Sequence, residues 1–340
     1  MRKEAYLARP LSGGVVQCQV CEHFCAVKPG ATGKCGVRRN VDGTLHLVVY
    51  GEPVAVHVDP IEKKPLFHFM PRGDVLSIGT YGCNFRCPFC QNWQMSQVRD
   101  FDDGLDTLGQ QATPEALVDA CLRNQVPMIA YTYNEPTVFF EYTYDTAKLA
   151  HEHGLKNVYV SNGYLSQAAL DMIAPYLDGI NVDLKAFSDP FYREQCQARL
   201  EPVKRNIAHI ARETDIWIEI TTLLIPGLND AEDELRAMAE WLADVDPDMP
   251  WHVTAFHPDY EMLDRPRTSQ HALARAYEIG EQAGLHYVYV GNVMDADRES
   301  THCPQCGHKL IQRHWYRVKA LWPEPGVCPQ CSHAVAGVWS

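Results

Sequence analysis

Between about residues 74 and 292, short runs of apolar and β-branched residues alternate with longer stretches in which apolar residues recur at helical spacing. Short apolar runs bounded by turn residues are typical of strands, and apolar positions three and four apart are typical of helices. The pattern predicts seven strands, at 75–79, 128–133, 157–161, 179–184, 217–224, 252–256 and 287–290. It predicts helices between them at 135–153, 166–176, 190–212, 231–245 and 269–284.

Strands that alternate with helices in this way form parallel sheets built from βαβ units. We therefore predict an α/β fold with a partial or full parallel (β/α) barrel, although a doubly wound sheet would give a similar pattern. A further helix is expected at 113–124, where Thr113 can cap the first turn and Pro114 can occupy it. Cys121 on this helix, and Cys196 on the helix at 190–212, are expected to be buried structural thiols.

The composition is that of an ordinary globular protein, since 46% of the 340 residues are hydrophobic and 21% are charged. The formal net charge of -13 argues against nucleic acid as a partner, because proteins that bind it present a basic surface to the phosphates. No apolar run reaches the ~18 residues of a transmembrane helix, and the amino terminus lacks the apolar segment of a signal peptide. We therefore expect a cytoplasmic protein with no membrane partner.

Most of the 13 cysteines fall into three spaced groups. In a reducing compartment, cysteines at such spacings are typical of metal sites rather than of disulfides. The groups are Cys18, Cys21, Cys25 and Cys35, then Cys83, Cys87 and Cys90, and finally Cys303, Cys306, Cys328 and Cys331. The grouping predicts a four-cysteine module with its lead-in segment at 1–70, the barrel at 71–293 and a second metal-binding module at 294–340.

The second group follows the first predicted strand directly, which places three thiolates on a loop at the carboxyl end of that strand. Active sites of parallel barrels lie at this end. Three thiolates bind only three irons of a [4Fe-4S] cluster, whereas a closed electron-transfer cluster takes four. One iron is then left open to a substrate. The alternative is a structural zinc ion that takes a distant fourth ligand.

The C-x3-C-x2-C spacing of Cys83, Cys87 and Cys90, with Phe89 before the last cysteine, resembles the signature of the radical S-adenosylmethionine (SAM) superfamily. The segment 59–69 and the flanking cysteine groups are similar to the AmmeMemoRadiSam-type branch, which is close to the pyruvate formate-lyase activating enzymes. The resemblance implies a [4Fe-4S] cluster and SAM as cofactors, with reductive cleavage of SAM to a 5'-deoxyadenosyl radical. It also implies a low-potential electron donor of the flavodoxin or ferredoxin type.

Polar segments at the ends of later predicted strands resemble the parts of the family that contact SAM. The resemblance implies a SAM-binding role for Phe89, Asn134, Glu135, Ser161, Asn162, Asp183 and Lys185, and for the segment 224–230. His257 lies where activating enzymes carry a histidine near SAM, which implies SAM contact or acid-base work beside the substrate. From the residues alone, each segment also has a purely structural explanation. A helix cap would explain Asn134 and Glu135, turns would explain 161–163 and 224–230, and an isolated ion pair would explain Asp183 and Lys185.

The outer cysteine groups and a lysine pair complete the candidate sites. Two Cys-Pro-Gln-Cys knuckles in the third group favour a four-thiolate zinc ribbon, with rubredoxin-like iron as the alternative. The first group matches neither a ferredoxin run nor a double knuckle, and we favour zinc there, with a second iron-sulfur cluster as the alternative and His23 as a substitute ligand. Lys63 and Lys64 are expected on a solvated loop, the alternative being anion or substrate binding at the barrel rim.

These features together predict an oxygen-sensitive radical SAM oxidoreductase that abstracts hydrogen from its substrate. By the resemblance to glycyl radical enzyme activating enzymes, that substrate is a backbone glycine of a partner protein. The first rival is radical modification of a small molecule or of another peptide group. The second rival is a zinc-binding interaction protein without radical chemistry.

Overall fold

The computed structural model describes residues 2–98 and 111–340. Six short strands come first: β1 (Lys3–Glu4), β2 (Ala8–Pro10), β3 (Val16–Cys18), β4 (Ala26–Val27), β5 (Arg38–Val41) and β6 (Thr44–Leu47). They form two small antiparallel sheets with the orders β1-β6-β5 and β2-β3-β4. Val37 and Leu47 of this segment are fully buried, and they belong to the same apolar cluster as the central sheet.

The centre of the molecule is an eight-stranded sheet in which strands adjacent in the chain are adjacent in space. Its members are β7 (Ala55–Pro60), β8 (Asp74–Gly79), β9 (Met128–Tyr131), β10 (Lys156–Ser161), β11 (Gly179–Asp183), β12 (Trp217–Leu224), β13 (Trp251–Ala255) and β14 (Val288–Gly291). Strands β8 to β14 run parallel, whereas β7 pairs antiparallel with β8. Because β7 and β14 are the two edges of the sheet, the barrel is partial.

The predicted parallel barrel is confirmed, and each of the seven predicted strands agrees with the structure to within two residues at its ends. The sequential strand order excludes the doubly wound alternative, in which the order reverses within the sheet. Strand β7 was not predicted. It lies at an edge with Val58 half exposed, so it has neither the continuous apolar run of a central strand nor a clear alternation.

The helices between the strands are α1 (Trp93–Ser96), α2 (Pro114–Asn124), α3 (Phe140–Glu152), α4 (Gln167–Ile173), α5 (Asp189–Phe191), α6 (Leu200–Glu213), α7 (Glu232–Val245) and α8 (Gln270–Gln282). Four of them begin after a side chain that accepts a backbone N–H bond, which satisfies one of the unpaired donors of the first turn. The acceptors are Thr113, Ser166, Ser188 and Ser269, with donor-acceptor distances of 3.3, 3.2, 3.4 and 3.1 Å. Thr113 therefore caps α2 as predicted, and Cys121 is buried on that helix.

The single helix predicted at 190–212 is wrong, because the segment is broken between α5 and α6. A π-helical turn spans Tyr192–Cys196, and Gln197 then adopts a left-handed conformation with φ of 55°. The wider turn directs both Tyr192 and Cys196 inward, where each is fully buried. The tertiary packing of these two side chains thus overrides the helical pattern of the sequence.

The last three strands, β15 (Thr301–His302), β16 (Lys309–His314) and β17 (Arg317–Ala320), form a small antiparallel sheet. A separate apolar cluster joins this sheet to Tyr287 and Tyr289 at the start of β14. The chain end is bound near the amino ends of the parallel strands, since Val338 N–H donates to His68 O at 2.7 Å. Within the described residues, no helix combines the length and the apolar character that crossing a bilayer requires.

His68 connects the barrel to this carboxyl-terminal segment. The ring is fully buried; its Nδ1 lies 2.7 Å from Ala336 O and its Nε2 lies 2.6 Å from the Tyr289 hydroxyl. Burial lowers the pKa of His68 to about 4, with the Arg313 and His252 charges acting in the same direction and Glu219 opposing them. The folded protein therefore holds a neutral imidazole at neutral pH.

We expect the protein to lose stability on acidification because of His68. In the unfolded chain this histidine takes up a proton near its ordinary pKa, whereas the folded state resists protonation until the pH approaches 4. The effect amounts to about 2 kcal/mol of unfolding free energy between about pH 7 and pH 5. Urea unfolding of His68→Gln should show a shallower pH slope than wild type, while the exposed His153→Gln should keep it. Equal slopes in both variants would refute this role.

Candidate active site

The three central cysteines lie on the loop that follows β8, at the carboxyl edge of the parallel strands. Cys83 and Cys87 are buried and Cys90 is partly exposed. Gly82, which precedes them, has φ of 91°, and a Cβ there would lie 2.6 Å from Cys35 O. Only glycine fits this approach between the loop and the amino-terminal segment. The sequence prediction that places the triplet at this edge of the sheet agrees with the strand directions.

The spacing of the three thiols suits a polynuclear cluster better than a single ion. Among the residues that the structure describes, only the carboxyl-terminal cysteine group brings its sulfur atoms within 4.8 Å of one another. Thiolates that bind different irons of one cluster stand farther apart than ligands of one tetrahedral ion. In addition, Phe85 N–H donates to Cys83 Sγ at 3.4 Å, a contact that stabilises a metal-bound thiolate. Cys83, Cys87 and Cys90 therefore fit a [4Fe-4S] cluster.

Cys196 lies directly beside this site, with 3.7 Å between its Sγ and that of Cys87. That distance matches two ligands of one metal ion, so Cys196 is not placed to bind the iron left open by the triplet. The predicted burial of Cys196 is confirmed, but its proximity to Cys87 was missed. The two residues are 109 positions apart in the chain, and no spacing signal links them.

The triplet thiols need a positive partner to ionise. The contact with Cys196 and then burial raise the pKa of Cys87 well above its usual value, and burial does the same for Cys83. A bound metal supplies the charge that deprotonates such thiols. Lys185 lies near enough to Cys87 to favour its thiolate as well.

Asn134 fixes the loop that leads into the triplet. Its Oδ1 accepts from Thr80 N–H at 3.1 Å, and its Nδ2 donates to Gly82 O at 2.7 Å. The carboxamide is buried and committed to these backbone groups. We therefore propose that Asn134 positions the cysteine loop.

Asn134→Ala is expected to lower cluster occupancy and turnover about 10- to 100-fold, because the loop before Cys83 loses its hydrogen-bonded support. Iron per protein and 5'-deoxyadenosine formed per iron are the measurements. Asn124→Ala, at the exposed end of α2, serves as the matched control and should behave as wild type. Full iron content with weakened SAM binding would instead indicate direct contact between Asn134 and SAM.

Glu135 joins the ends of β9 and β10. Its Oε1 accepts from Ser161 Oγ at 2.9 Å, and its Oε2 accepts from Asn162 N–H at 2.7 Å. Burial raises the pKa of Glu135 even though these hydrogen bonds favour its ionised form. Asn162 Nδ2 continues the network by donating to Asn84 Oδ1 at 2.7 Å, next to Cys83. The three predicted residues Glu135, Ser161 and Asn162 thus form one connected network against the cysteine loop.

Asp183 and Lys185 form an ion pair at the end of β11, with 2.7 Å between Oδ2 and Nζ. Burial alone would lower the pKa of Lys185, but Asp183 and the neighbouring sulfur of Cys87 raise it above its usual value. Asp183 keeps 32% of its side chain exposed, so the pair is open to a ligand. Asn229, in the segment 224–230, donates to Lys185 O at 2.6 Å and ties this segment to the site.

Phe89 and His257 occupy different surroundings at the site. Phe89 is buried and packs against Phe191 with 6.1 Å between ring centroids, so it belongs to the apolar base of the loop. His257 is exposed, and its Nδ1 lies 3.3 Å from Gln91 Nε2, one residue after Cys90. The fold therefore brings His257 to the rim of the cysteine loop.

The two outer cysteine groups differ in how closely they bring their sulfur atoms together. Cys303 and Cys331 place their sulfurs 3.6 Å apart, and Cys306 and Cys328 place theirs 3.7 Å apart. Tetrahedral zinc with Zn–S bonds of about 2.3 Å requires sulfur separations of about 3.8 Å, which these distances match. The first group, Cys18, Cys21, Cys25 and Cys35, lines a single cavity together with His23.

The solvated loop expected at the lysine pair is wrong for Lys64. Its side chain is buried and its Nζ lies 2.8 Å from Asp59 Oδ2, while Lys63 reaches the other oxygen of Asp59 at 2.8 Å. Tyr133 also donates to Asp59, at 2.7 Å. A buried cation needs such a partner, and Asp59 neutralises it within the fold.

Comparison with known proteins agrees with this geometry. A family model described as the radical SAM superfamily matches residues 77–242. An uncharacterized protein of Methanocaldococcus jannaschii is 39% identical over 94% of each chain. Another protein of that organism, provisionally named a glycyl-radical enzyme activating enzyme, is 25% identical over 61% of this chain and 76% of its own.

A solved structure supports the fold. The radical SAM methyltransferase from Sphaerobacter thermophilus superposes with a TM-score of 0.52 at 18% identity, covering 66% of this chain and 67% of that one. The segment matched by the family model contains the cysteine triplet and the polar ends of β9 to β12. The chain belongs to the radical SAM superfamily of enzymes.

Proposed function

We propose that this chain binds a [4Fe-4S] cluster through Cys83, Cys87 and Cys90 and cleaves SAM reductively at that site. The observation that carries the proposal is that Cys83, Cys87 and Cys90 lie on one loop at the carboxyl edge of the parallel sheet, with sulfur atoms that do not all lie within 4.8 Å of one another. A cluster held by these three cysteines would supply one electron for the reductive cleavage of the SAM sulfonium, so that methionine and a 5'-deoxyadenosyl radical would form and the radical would take a hydrogen atom from the substrate.

The surrounding residues have distinct proposed roles. The network of Glu135, Ser161 and Asn162 holds the cysteine loop rigid, because each side chain is already bonded within the protein. Asp183 and Lys185 are proposed to bind the charged groups of SAM, since their ion pair is partly open and lies beside Cys87. Exposed His257 is proposed to act at the substrate side.

We propose an external low-potential donor, of the flavodoxin or ferredoxin type, as the source of the electron. Most of the cysteines stand at spacings typical of metal ligands in a reducing compartment, and we propose the cytoplasm as the location. The proposed domain division is 1–70, 71–293 and 294–340. Zinc is proposed for the carboxyl-terminal group, because its sulfur distances fit a tetrahedral ion.

For the substrate we propose a backbone glycine of a partner protein. The provisional name of one relative points to this class. The rim of the site also carries exposed apolar groups: Trp93 stacks on Tyr260 at 5.1 Å, and Leu263 is 69% exposed. The backbone bond from Glu261 N–H to Pro88 O, 3.0 Å long, holds this rim against the cysteine loop. Such apolar surface suits a peptide loop better than a small polar molecule.

The reaction class is tested with anaerobically reconstituted protein, dithionite and SAM. Formation of 5'-deoxyadenosine and methionine in equal amounts is the expected result. A fully loaded cluster that yields neither product would refute the proposal.

The substrate class is tested by isotope transfer. The organism that carries this protein is grown on glycine deuterated at Cα, and its extract is separated into a protein fraction and a small-molecule filtrate. Each fraction is then added to the reaction of the protein with SAM. Deuterium in the 5'-deoxyadenosine is expected with the protein fraction. If the protein fraction increased 5'-deoxyadenosine formation without transferring deuterium to it, a glycyl substrate would be contradicted. An increase with the small-molecule filtrate alone would contradict it as well. Neither result would affect the proposal that the protein cleaves SAM.

A further inference from the structure

The amino-terminal cysteines surround one cavity, although they come from three different turns and strands. Cys18 ends β3, Cys21 and Cys25 lie on the turn between β3 and β4, and Cys35 precedes β5. All four line the same cavity. Cys18 and Cys35 are buried, and Cys21 and Cys25 are partly exposed. The fold therefore brings four thiols from different strands and turns to the wall of one cavity.

The spacing of these thiols separates them from the carboxyl-terminal group. In the described part of the chain, the carboxyl-terminal group is the one cysteine set whose sulfur atoms all lie within 4.8 Å of one another. No three of the amino-terminal sulfurs lie together in this way, and neither do the three sulfurs of the catalytic triplet. Ligands of several irons in one cluster need this wider arrangement, whereas a tetrathiolate zinc ion brings its sulfurs to about 3.8 Å of one another.

Two unused hydrogen-bond donors line the same cavity. Arg38 is 1% exposed; its Nη2 pairs with Glu141 Oε2 at 2.5 Å and its Nε donates to Val138 O at 3.1 Å. Its Nη1 is buried and has no partner within residues 2–98 and 111–340. Asn84 Nδ2 is likewise buried and unpartnered there. Both side chains belong to the cavity wall.

A buried cation and an amide donor left unpaired are costly unless an anionic acceptor meets them. The bridging sulfides and thiolates of an iron-sulfur cluster are such acceptors. We propose that Cys18, Cys21, Cys25 and Cys35 bind a second [4Fe-4S] cluster, with Arg38 and Asn84 donating hydrogen bonds to its sulfur atoms. This assignment replaces the zinc ion that the sequence pattern favours at this position.

The second cluster lies against the catalytic loop. Asn84, in the wall of the amino-terminal cavity, follows Cys83 directly, and its backbone O lies 2.9 Å from His23 Nε2. Gly82 packs on the Cys35 backbone, and Arg86 donates to Lys34 O. The two clusters are thus separated by little more than the cysteine loop itself.

Metal analysis of a triplet-free variant tests the assignment without disturbing the amino-terminal site. The full-length protein with Cys83→Ala, Cys87→Ala and Cys90→Ala is reconstituted anaerobically with iron and sulfide. We expect about four irons and four sulfides per chain, and about one zinc at the carboxyl-terminal group. About two zincs without iron, or an empty amino-terminal site in folded protein, would overturn the proposal.

A second variant controls for misfolding and for the choice of ligands. Adding Cys18→Ala and Cys35→Ala to the triplet-free protein should remove the remaining iron while the zinc stays, and the retained zinc reports that the chain is folded. In wild type, the electron paramagnetic resonance (EPR) signals of the two reduced clusters should broaden each other. Unperturbed, additive signals would place the second cluster elsewhere and refute its position against the loop.

Discussion

Cys87→Ala is expected to abolish 5'-deoxyadenosine formation, whereas Cys196→Ala should keep turnover within about tenfold of wild type. The two sulfurs are 3.7 Å apart and both residues are buried, so the variants remove equivalent atoms from the same part of the core. Cys87 is proposed to bind iron. The Cys196 thiol contacts the sulfur of Cys87, and its removal changes the surroundings of the cluster without removing one of the three proposed ligands.

The pair of variants separates a missing ligand from a packing defect. Iron content, 5'-deoxyadenosine yield and the melting temperature are measured on both proteins prepared anaerobically. Similar melting temperatures with activity lost only in Cys87→Ala support the three-cysteine site. If Cys196→Ala lost as much iron as Cys87→Ala, Cys196 would be a fourth ligand of the cluster. No iron would then be left open for SAM, and the three-cysteine site would be refuted.

Cys328→Ser is expected to release the carboxyl-terminal metal and to lower the melting temperature by roughly 5 to 10 °C. Cys303 and Cys328 belong to the apolar cluster that joins the ribbon to Tyr287 and Tyr289 of the barrel. Loss of the metal therefore loosens the cover at the amino ends of the strands, opposite to the cysteine loop. The 5'-deoxyadenosine yield per iron should change little.

This prediction has two controls within the same site. The double variant Cys328→Ser and Cys331→Ser should be no less stable than the single one, because the first change already releases the ion. A strong chelator should destabilise wild type to the level of the variant and leave the variant unaffected. If Cys328→Ser kept the melting temperature of wild type but lost turnover, the metal at this site would relay electrons, as rubredoxin-like iron would.

The parallel barrel and the position of the triplet could be predicted from the sequence because both are local signals. The strands read as short β-rich runs, and Cys83, Cys87 and Cys90 lie within eight residues directly after one of them. The direction of a parallel strand then fixes the edge on which its following loop lies. The predicted segments at Glu135, Ser161 and Asp183 come to this same edge for the same reason.

The rest depends on contacts between distant segments. Cys196 reaches Cys87 only because a π-helical turn interrupts a helical pattern. Buried Glu219 accepts from His68 N–H at 2.7 Å across 151 positions of the chain, and no local pattern marks either residue. Likewise, the choice between zinc and a cluster at the amino-terminal cysteines rests on sulfur distances and on the unpartnered Arg38, which spacing alone does not give.

We propose that the cysteine triplet leaves one iron open to SAM. Electron-nuclear double resonance on the reduced protein, mixed with SAM labelled at its amino nitrogen and carboxylate oxygen, detects whether SAM binds that iron. Preparations with and without the amino-terminal cysteines separate the two proposed clusters. We predict hyperfine coupling from both labels to the triplet cluster. A cluster signal that SAM does not change, with a fourth protein ligand on the iron, would contradict it.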